Sequence, residues 1–285
     1  MIHVEPATAA MFNELWPLLE KFQNTSVPRA WWERLFIHPW PETSPLRGYV
    51  LRDDSRAIGF FGVIHSQRMI DGRLEKFANL TSWIVLPEFR NHALRLFQAV
   101  TNIPDHTLTC FTPRRETLPF YKRCGFQELE TRFRILLPLP SFDVSANTRS
   151  TTNPQRIAAQ LDAPLRETFK HHRFTPCKAL LLSQRKGARQ CLVLFTRTRG
   201  RRYAFARVHY LSDPAFFAEN TDLIRLRLGL AARSLLVMID ERMLAGRSLK
   251  HCKIAEMSAP SVFRSSSLSA GQIDNLYSEL VLLGL

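Results

Sequence analysis

The chain has 285 residues, a formal charge of +14, 45% apolar and 22% charged residues, the balance of an ordinary globular protein with room for two domains or one large one. Its start, MIHVEPATAA, has neither the basic nor the apolar region of a secretory signal, and no apolar run reaches the roughly 18 residues a membrane span needs. Five scattered cysteines (Cys110, Cys124, Cys177, Cys191 and Cys252), odd in number and without a CxxC pair, argue against a metal site or disulfide framework and for a reducing cytoplasm.

In chain order, His3 to Pro6 reads as an edge strand and Ala9 to Phe22 as a helix, with Met11, Leu15, Leu18, Leu19 and Phe22 on one face. A second helix follows Pro28 through Trp31, Trp32, Leu35 and Phe36. His38 to Pro45 is a proline-rich loop with the tryptophans packed around it. Gly48 to Leu51 is a short strand and Ala57 to Ile70 a long one. Asp71-Gly72 predicts a type I′ hairpin that returns the chain along Leu74 to Leu86.

At Pro87 the pattern changes from strand to helix, with Leu94, Leu96, Phe97 and Val100 at helical spacing. A strand that feeds a helix through such a corner aims free N–H groups at one point and favours an anion there. His106 to Phe111 is the next strand. Phe120-Tyr121-Lys122-Arg123-Cys124-Gly125-Phe126 then reads as a short helix closed by a C-cap glycine and followed by a strand.

Two of these stretches resemble motifs of the GNAT acyltransferase superfamily. Val85, Pro87 and Arg90 match motif A, V-x-P-x-x-R-x-x-G-x-G/A, while Ala93 and Arg95 stand where small residues are usual. Residues 120–126 resemble motif B, F/L-Y-x-x-x-G-F, and Arg114 replaces the asparagine frequent seven residues before its tyrosine. The element order over residues 1–138 is also that of the family.

The resemblance implies a CoA-dependent N-acyltransferase using acetyl-CoA or another acyl-CoA as donor. The backbone of Trp83, Ile84 and Val85 would pair with pantetheine. Arg90, Asn91, His92, Ala93, Leu94 and Arg95 would face the pyrophosphate, with Arg95 either blocking it or adding charge to it. Tyr121 would protonate the leaving thiolate, a role its pKa near 10 suits. No general base can be named. Glu75, Asn79 and Thr81 are polar positions on the incoming strand, and His65 and His92 read as structural or solvated.

Residues 139–153 read as a linker, and 154–285 as a second, basic domain. A helix from Pro154 to about His171 is followed by strands at Cys177 to Leu182, Gln190 to Thr198 and Tyr203 to Leu211. A helix from Asp222 to Leu235, a strand from Leu236 to Ile239 and a helix from Ala270 to Leu283 complete it. This order echoes the first half, down to Phe77-Ala78 and Phe205-Ala206. It lacks both motifs and reads as a degenerate GNAT-like lobe of an α/β (α+β) protein, a mixed sheet flanked by helices. An amine acceptor, anionic in one reading, would then lie between the lobes.

No acidic residue occurs between Thr168 and Ser212, and Arg197, Arg199 and Arg201 would share one strand face. Two other readings stand beside the enzyme. One is a non-catalytic GNAT-like scaffold. The other is a protein that binds polyanions, nucleic acid or anionic lipid through the basic half, without a nucleic-acid module to mark it.

Overall fold

The computed structural model describes residues 1–22, 27–137, 147–200 and 203–285, so Arg201 and residues 138–146 lie outside the described residues. Its contacts divide the chain into two units. Unit 1 comprises Met1–Leu129, Ala259–Gln272 and Tyr277–Leu283; unit 2 comprises Glu130–Ser258, Ile273–Leu276 and Gly284–Leu285.

Unit 1 opens with β1 (Ile2–Ala7), α1 (Phe12–Leu19) and α2 (Arg29–Trp32). On α1, Phe12, Leu15, Leu18 and Leu19 are buried, the face expected from their spacing. Strands β2 (Gly48–Asp53), β3 (Arg56–Ile70) and β4 (Arg73–Val85) form an antiparallel meander. The hairpin between β3 and β4 turns on Asp71 and Gly72, both at positive φ (49° and 78°), as a type I′ turn requires. A 3₁₀ turn at Pro87–His92 leads into α3 (Ala93–Thr101); β5 (Thr107–Cys110) then lies parallel to β4. After α4 (Leu118–Arg123), the chain leaves along β6 (Gln127–Leu136).

Unit 2 contains β7 (Thr148–Thr151), α5 (Pro154–Gln160), α6 (Ala163–His172), β8 (Lys178–Gln184), β9 (Gln190–Arg199) and β10 (Ala204–Leu211). There follow α7 (Pro214–Glu219), α8 (Thr221–Ala232) and β11 (Leu236–Asp240). The last strand, β12 (Cys252–Arg264), ends in unit 1, where α9 (Glu279–Leu282) also lies.

The two units share one order of pairings. In unit 1, β1, β2, β3 and β4 pair antiparallel in sequence, and β4 pairs parallel with β5. In unit 2, β7, β8, β9 and β10 do the same, and β10 pairs parallel with β11. The echo in the sequence falls on the same step of both. Phe77 and Ala78 open the parallel pairing with β5, and Phe205 and Ala206 open that with β11. Beyond it, β5 takes β12 as its antiparallel neighbour and β11 takes β6.

Several features differ from the sequence expectation. Thr148–Thr151, read as linker, is a strand, because threonine suits a pleated edge despite the polar composition around it. The helix expected from Pro154 to His171 is two, since Leu161 is extended (ψ 142°) and Asp162 caps a new start by accepting from the Leu165 N–H at 3.0 Å. Strand β12 was hidden by Pro260 in its middle. The C-terminal helix shrinks to Glu279–Leu282 after a 3₁₀ turn at Ala270–Gln272. Tyr277 takes a left-handed φ of 57°, and the segment is buried all round rather than on one stripe.

Gly48 has φ 133°, and a Cβ there would stand 2.1 Å from the Phe61 carbonyl oxygen of β3. Gly48→Ala is therefore expected to lose about 3 kcal/mol or more in urea unfolding. Gly72→Ala, with open space around it, should lose only about 1 kcal/mol.

Candidate functional site

The site in unit 1 begins where a strand pair stops. Strands β4 and β5 pair parallel at Phe77 with Thr107, Ala78 with Leu108 and Asn79 with Thr109, and no further. The Asn79 side chain ties that last step, its Nδ2 donating to the Thr109 carbonyl and lying 3.3 Å from the Thr109 hydroxyl. From Leu80 to Val85, no described strand pairs with the β5-facing edge of β4. That edge is further shaped by a bulge: Phe60 faces Ile84 and Gly62 faces Thr81, so Ser82 and Trp83 together oppose Phe61. Ser82, in the bulge, has a left-handed φ of 57°.

A cleft of about 90 Å³ occupies the split, its walls including Thr81, Ser82, Trp83, Cys110, Thr112 and Tyr121. Arg114 also lines it. Trp83 stacks on Phe61 (ring centroids 5.0 Å apart, planes within 2°) and packs on Phe97 at 5.2 Å. Phe97 meets Tyr121 edge-on at 5.0 Å, so one aromatic chain fixes both the bulge and the phenol.

Tyr121 is 2% exposed and donates to Cys110 Sγ at 3.3 Å. Burial, with the neighbouring Cys110 and Glu279, holds its pKa well above the usual tyrosine value, so it remains a proton donor throughout the neutral range. Burial likewise pushes the Cys110 thiol up to about 12, so it stays protonated through the neutral range.

The predicted pyrophosphate residues lie in a 3₁₀ turn rather than an open corner. The Phe89 N–H donates to the Leu86 carbonyl at 2.9 Å and the Ala93 N–H to the Arg90 carbonyl, so two first-turn donors are consumed internally. Arg90, Asn91, Leu94 and Arg95 are exposed; His92 and Ala93 are half-buried. Arg95 Nη1 donates to the Ile2 carbonyl at 2.9 Å, on the edge strand β1. Ile84 and Val85 are half-buried on β4. The structure thus brings Trp83 and Tyr121 to one cleft and ties Arg95 to the far edge of the sheet.

Among the polar candidates, Glu75 accepts from the Ser267 hydroxyl at 2.9 Å, well back along β4, whereas Asn79 and Thr81 sit at the split. One group had no sequence signal as part of the site. Glu279, 1% exposed, accepts from the Thr112 hydroxyl at 2.8 Å, and its N–H donates to Asn79 Oδ1 at 3.3 Å.

In unit 2 the corresponding split is filled by the chain itself. β10 pairs with β11 only at Phe205 to Arg207 and has its own irregularity at His209. The Asn275 N–H donates to the His209 carbonyl at 3.1 Å. Asn275 Nδ2 donates to Asp240 at 2.8 Å, and Arg242 Nε donates to the Ile273 carbonyl at 3.1 Å. Part of the basic stretch is neutralised here, Arg189 pairing with Asp213 and Glu219, while Arg197 and Arg199 on β9 are exposed.

Two larger hollows lack comparable chemistry. One of about 470 Å³ runs between α1 and Pro87, and one of about 360 Å³ between α5, α6 and β8. Among the described residues there is no His/Cys/Asp/Glu cluster able to hold a metal and no helix long and apolar enough to cross a membrane.

The chain has the fold of the GCN5-related N-acetyltransferases. A GCN5-related N-acetyltransferase from Anabaena variabilis superposes with a TM-score of 0.61 at 12% identity, over 93% of this chain and 72% of the other. A conserved protein of unknown function from Enterococcus faecalis gives 0.61 at 11% identity, over 95% and 74%. A candidate acetyltransferase from Pyrococcus horikoshii gives 0.59 at 13%, over 99% and 95%. No protein-family model and no curated protein matches the sequence.

Beside the site, His65 on β3 is 2% exposed, and among the described residues neither ring nitrogen has a hydrogen-bond partner. Burial, aided by His106, Arg47 and His38, holds its pKa down to about 4. The unfolded chain then binds the extra proton first, so stability falls as pH drops from about 6.5 to about 4 and levels off below. His65→Leu is expected to remove on the order of 2–3 kcal/mol of that loss, seen as a flatter plot of melting temperature against pH. An unchanged slope would mean that His65 is not the buried neutral base.

Proposed function

We propose that the chain is a CoA-dependent N-acyltransferase that moves an acyl group from an acyl-CoA to an amine. The observation that carries this reading is the unpaired, bulged edge of β4 from Leu80 to Val85, with the buried phenol of Tyr121 in the same cleft. Backbone groups left unpaired beside a narrow cleft need partners, and the amide groups of a pantetheine arm supply them in the manner of an added strand.

In this reading Trp83, Ile84 and Val85 hold the arm through their backbone, and the bulge turns a main-chain N–H toward the thioester oxygen. Tyr121 gives its proton to the leaving sulfur in place of Cys110. The turn from Arg90 to Arg95 lies next along the chain and receives the diphosphate, Arg90 and Asn91 being exposed polar groups there. The cleft, at about 90 Å³, suits a short acyl group such as acetyl. The matching order of pairings supports unit 2 as a second, degenerate copy, with its own split closed by Ile273–Leu276. The 3₁₀ turn at Pro87–His92, which consumes two N–H donors, favours the competing reading of a non-catalytic protein of the same fold.

Isothermal titration with acetyl-CoA separates them. One molecule per chain is expected, with stabilisation of about 2.7 kcal/mol at 100 times the dissociation constant. Tyr121→Phe should keep that binding and lower thiol release to a primary amine about 100-fold. Absence of binding by a well-folded chain would favour the non-catalytic reading.

A further inference from the structure

The cleft has a proton donor in Tyr121, and among the described residues its own walls hold no carboxylate to take the proton of an attacking amine. The chain supplies one from its C-terminal end. Having passed through unit 2, it returns to unit 1 at Tyr277, and Glu279 is buried directly behind the cleft wall. Thr112 stands between, lining the cleft and donating its hydroxyl to Glu279 Oε1 at 2.8 Å. The position of Glu279 is fixed by Asn79, the residue that ties the last step of β4 and β5 before they part. Glu279 is among the groups that raise Cys110 and Tyr121, after burial.

We propose that Thr112 and Glu279 form the proton-accepting arm of the transfer, with Thr112 touching the acceptor amine and Glu279 receiving the proton. This rests on the acyltransferase reading and names the base that reading leaves open. The amine nitrogen bonds to the thioester carbonyl carbon as an N–H proton passes to Thr112 Oγ1 and the Thr112 hydroxyl proton passes to Glu279 Oε1. The C–S bond breaks, its electron pair stays on sulfur, and sulfur takes the Tyr121 proton. An amide, a free thiol, a protonated Glu279 and a Tyr121 phenolate result, and one proton returned through solvent from the first group to the second restores the starting state.

The test uses the full chain with acetyl-CoA and n-butylamine, reading thiol release, with acetyl-CoA affinity measured separately by calorimetry. Glu279→Gln keeps the size of the side chain and an acceptor for Thr112; it should lower kcat about 100-fold with acetyl-CoA affinity and melting temperature unchanged. Thr112→Val should match it, Thr112→Ser should retain most activity, and the double variant should lose no more than either single one, as a shared path requires. If Glu279→Gln does not fold, the Thr112→Val and Thr112→Ser pair carries the test. Wild-type kcat in Glu279→Gln, or a loss confined to KM, overturns the proposal; so does full activity in Thr112→Val. A wild-type chain that binds acetyl-CoA but acylates neither n-butylamine nor other primary amines removes the acyltransferase reading itself, a result visible before any variant is made.

Discussion

Buried backbone groups must find partners, and in unit 1 the strand pair β4/β5 satisfies this for three residue pairs and then stops. Everything at the candidate site follows from that divergence. Asn79 closes the last step from the side, the bulge at Ser82 and Trp83 re-aims the strand beyond it, and the aromatic chain from Phe61 through Trp83 and Phe97 to Tyr121 keeps the opened region rigid. A narrow cleft beside main-chain groups that no described strand pairs is suited to an extended amide-bearing ligand.

Unit 2 meets the same constraint in another way. Its parallel pair also ends after three steps, at Arg207 with Met238, but the gap receives Ile273–Leu276. Asn275 satisfies the His209 carbonyl through its main chain, while its side chain joins Asp240 and Arg242 in a buried polar network. One unit thus leaves its edge without a described strand partner, and the other fills it with its own chain. The same C-terminal segment then continues to Glu279 in unit 1, so the closure of one split and the carboxylate beside the other belong to adjacent residues.

Much of this was legible in the sequence. The Asp71-Gly72 hairpin, the Gly125 cap (φ 79°), the helical face of α1 and the order of elements through residue 136 all follow local rules of turn chemistry and periodicity. Trp83 and Tyr121 were reached through motifs, and they do meet in one cleft. What escaped depends on long-range placement. Pro260 disguised β12, and the apolar run at the C-terminus suggested a helix although its residues are buried on every side. Glu279 had no local signal at all, since its partner Thr112 is 167 residues away. Leu94, placed on the apolar face by spacing, is 47% exposed. Nothing local could have foretold the bond of Arg95 to the Ile2 carbonyl.

The central claim is that the open edge of β4 is the donor site and that the split of unit 2 is closed by its own chain. Backbone hydrogen exchange with and without acetyl-CoA addresses both at once. The account predicts new protection in peptides covering Leu80 to Val85, with none at Val208 to Leu211. Protection at Val208 to Leu211, or bound acetyl-CoA that leaves Leu80 to Val85 unchanged, would contradict it.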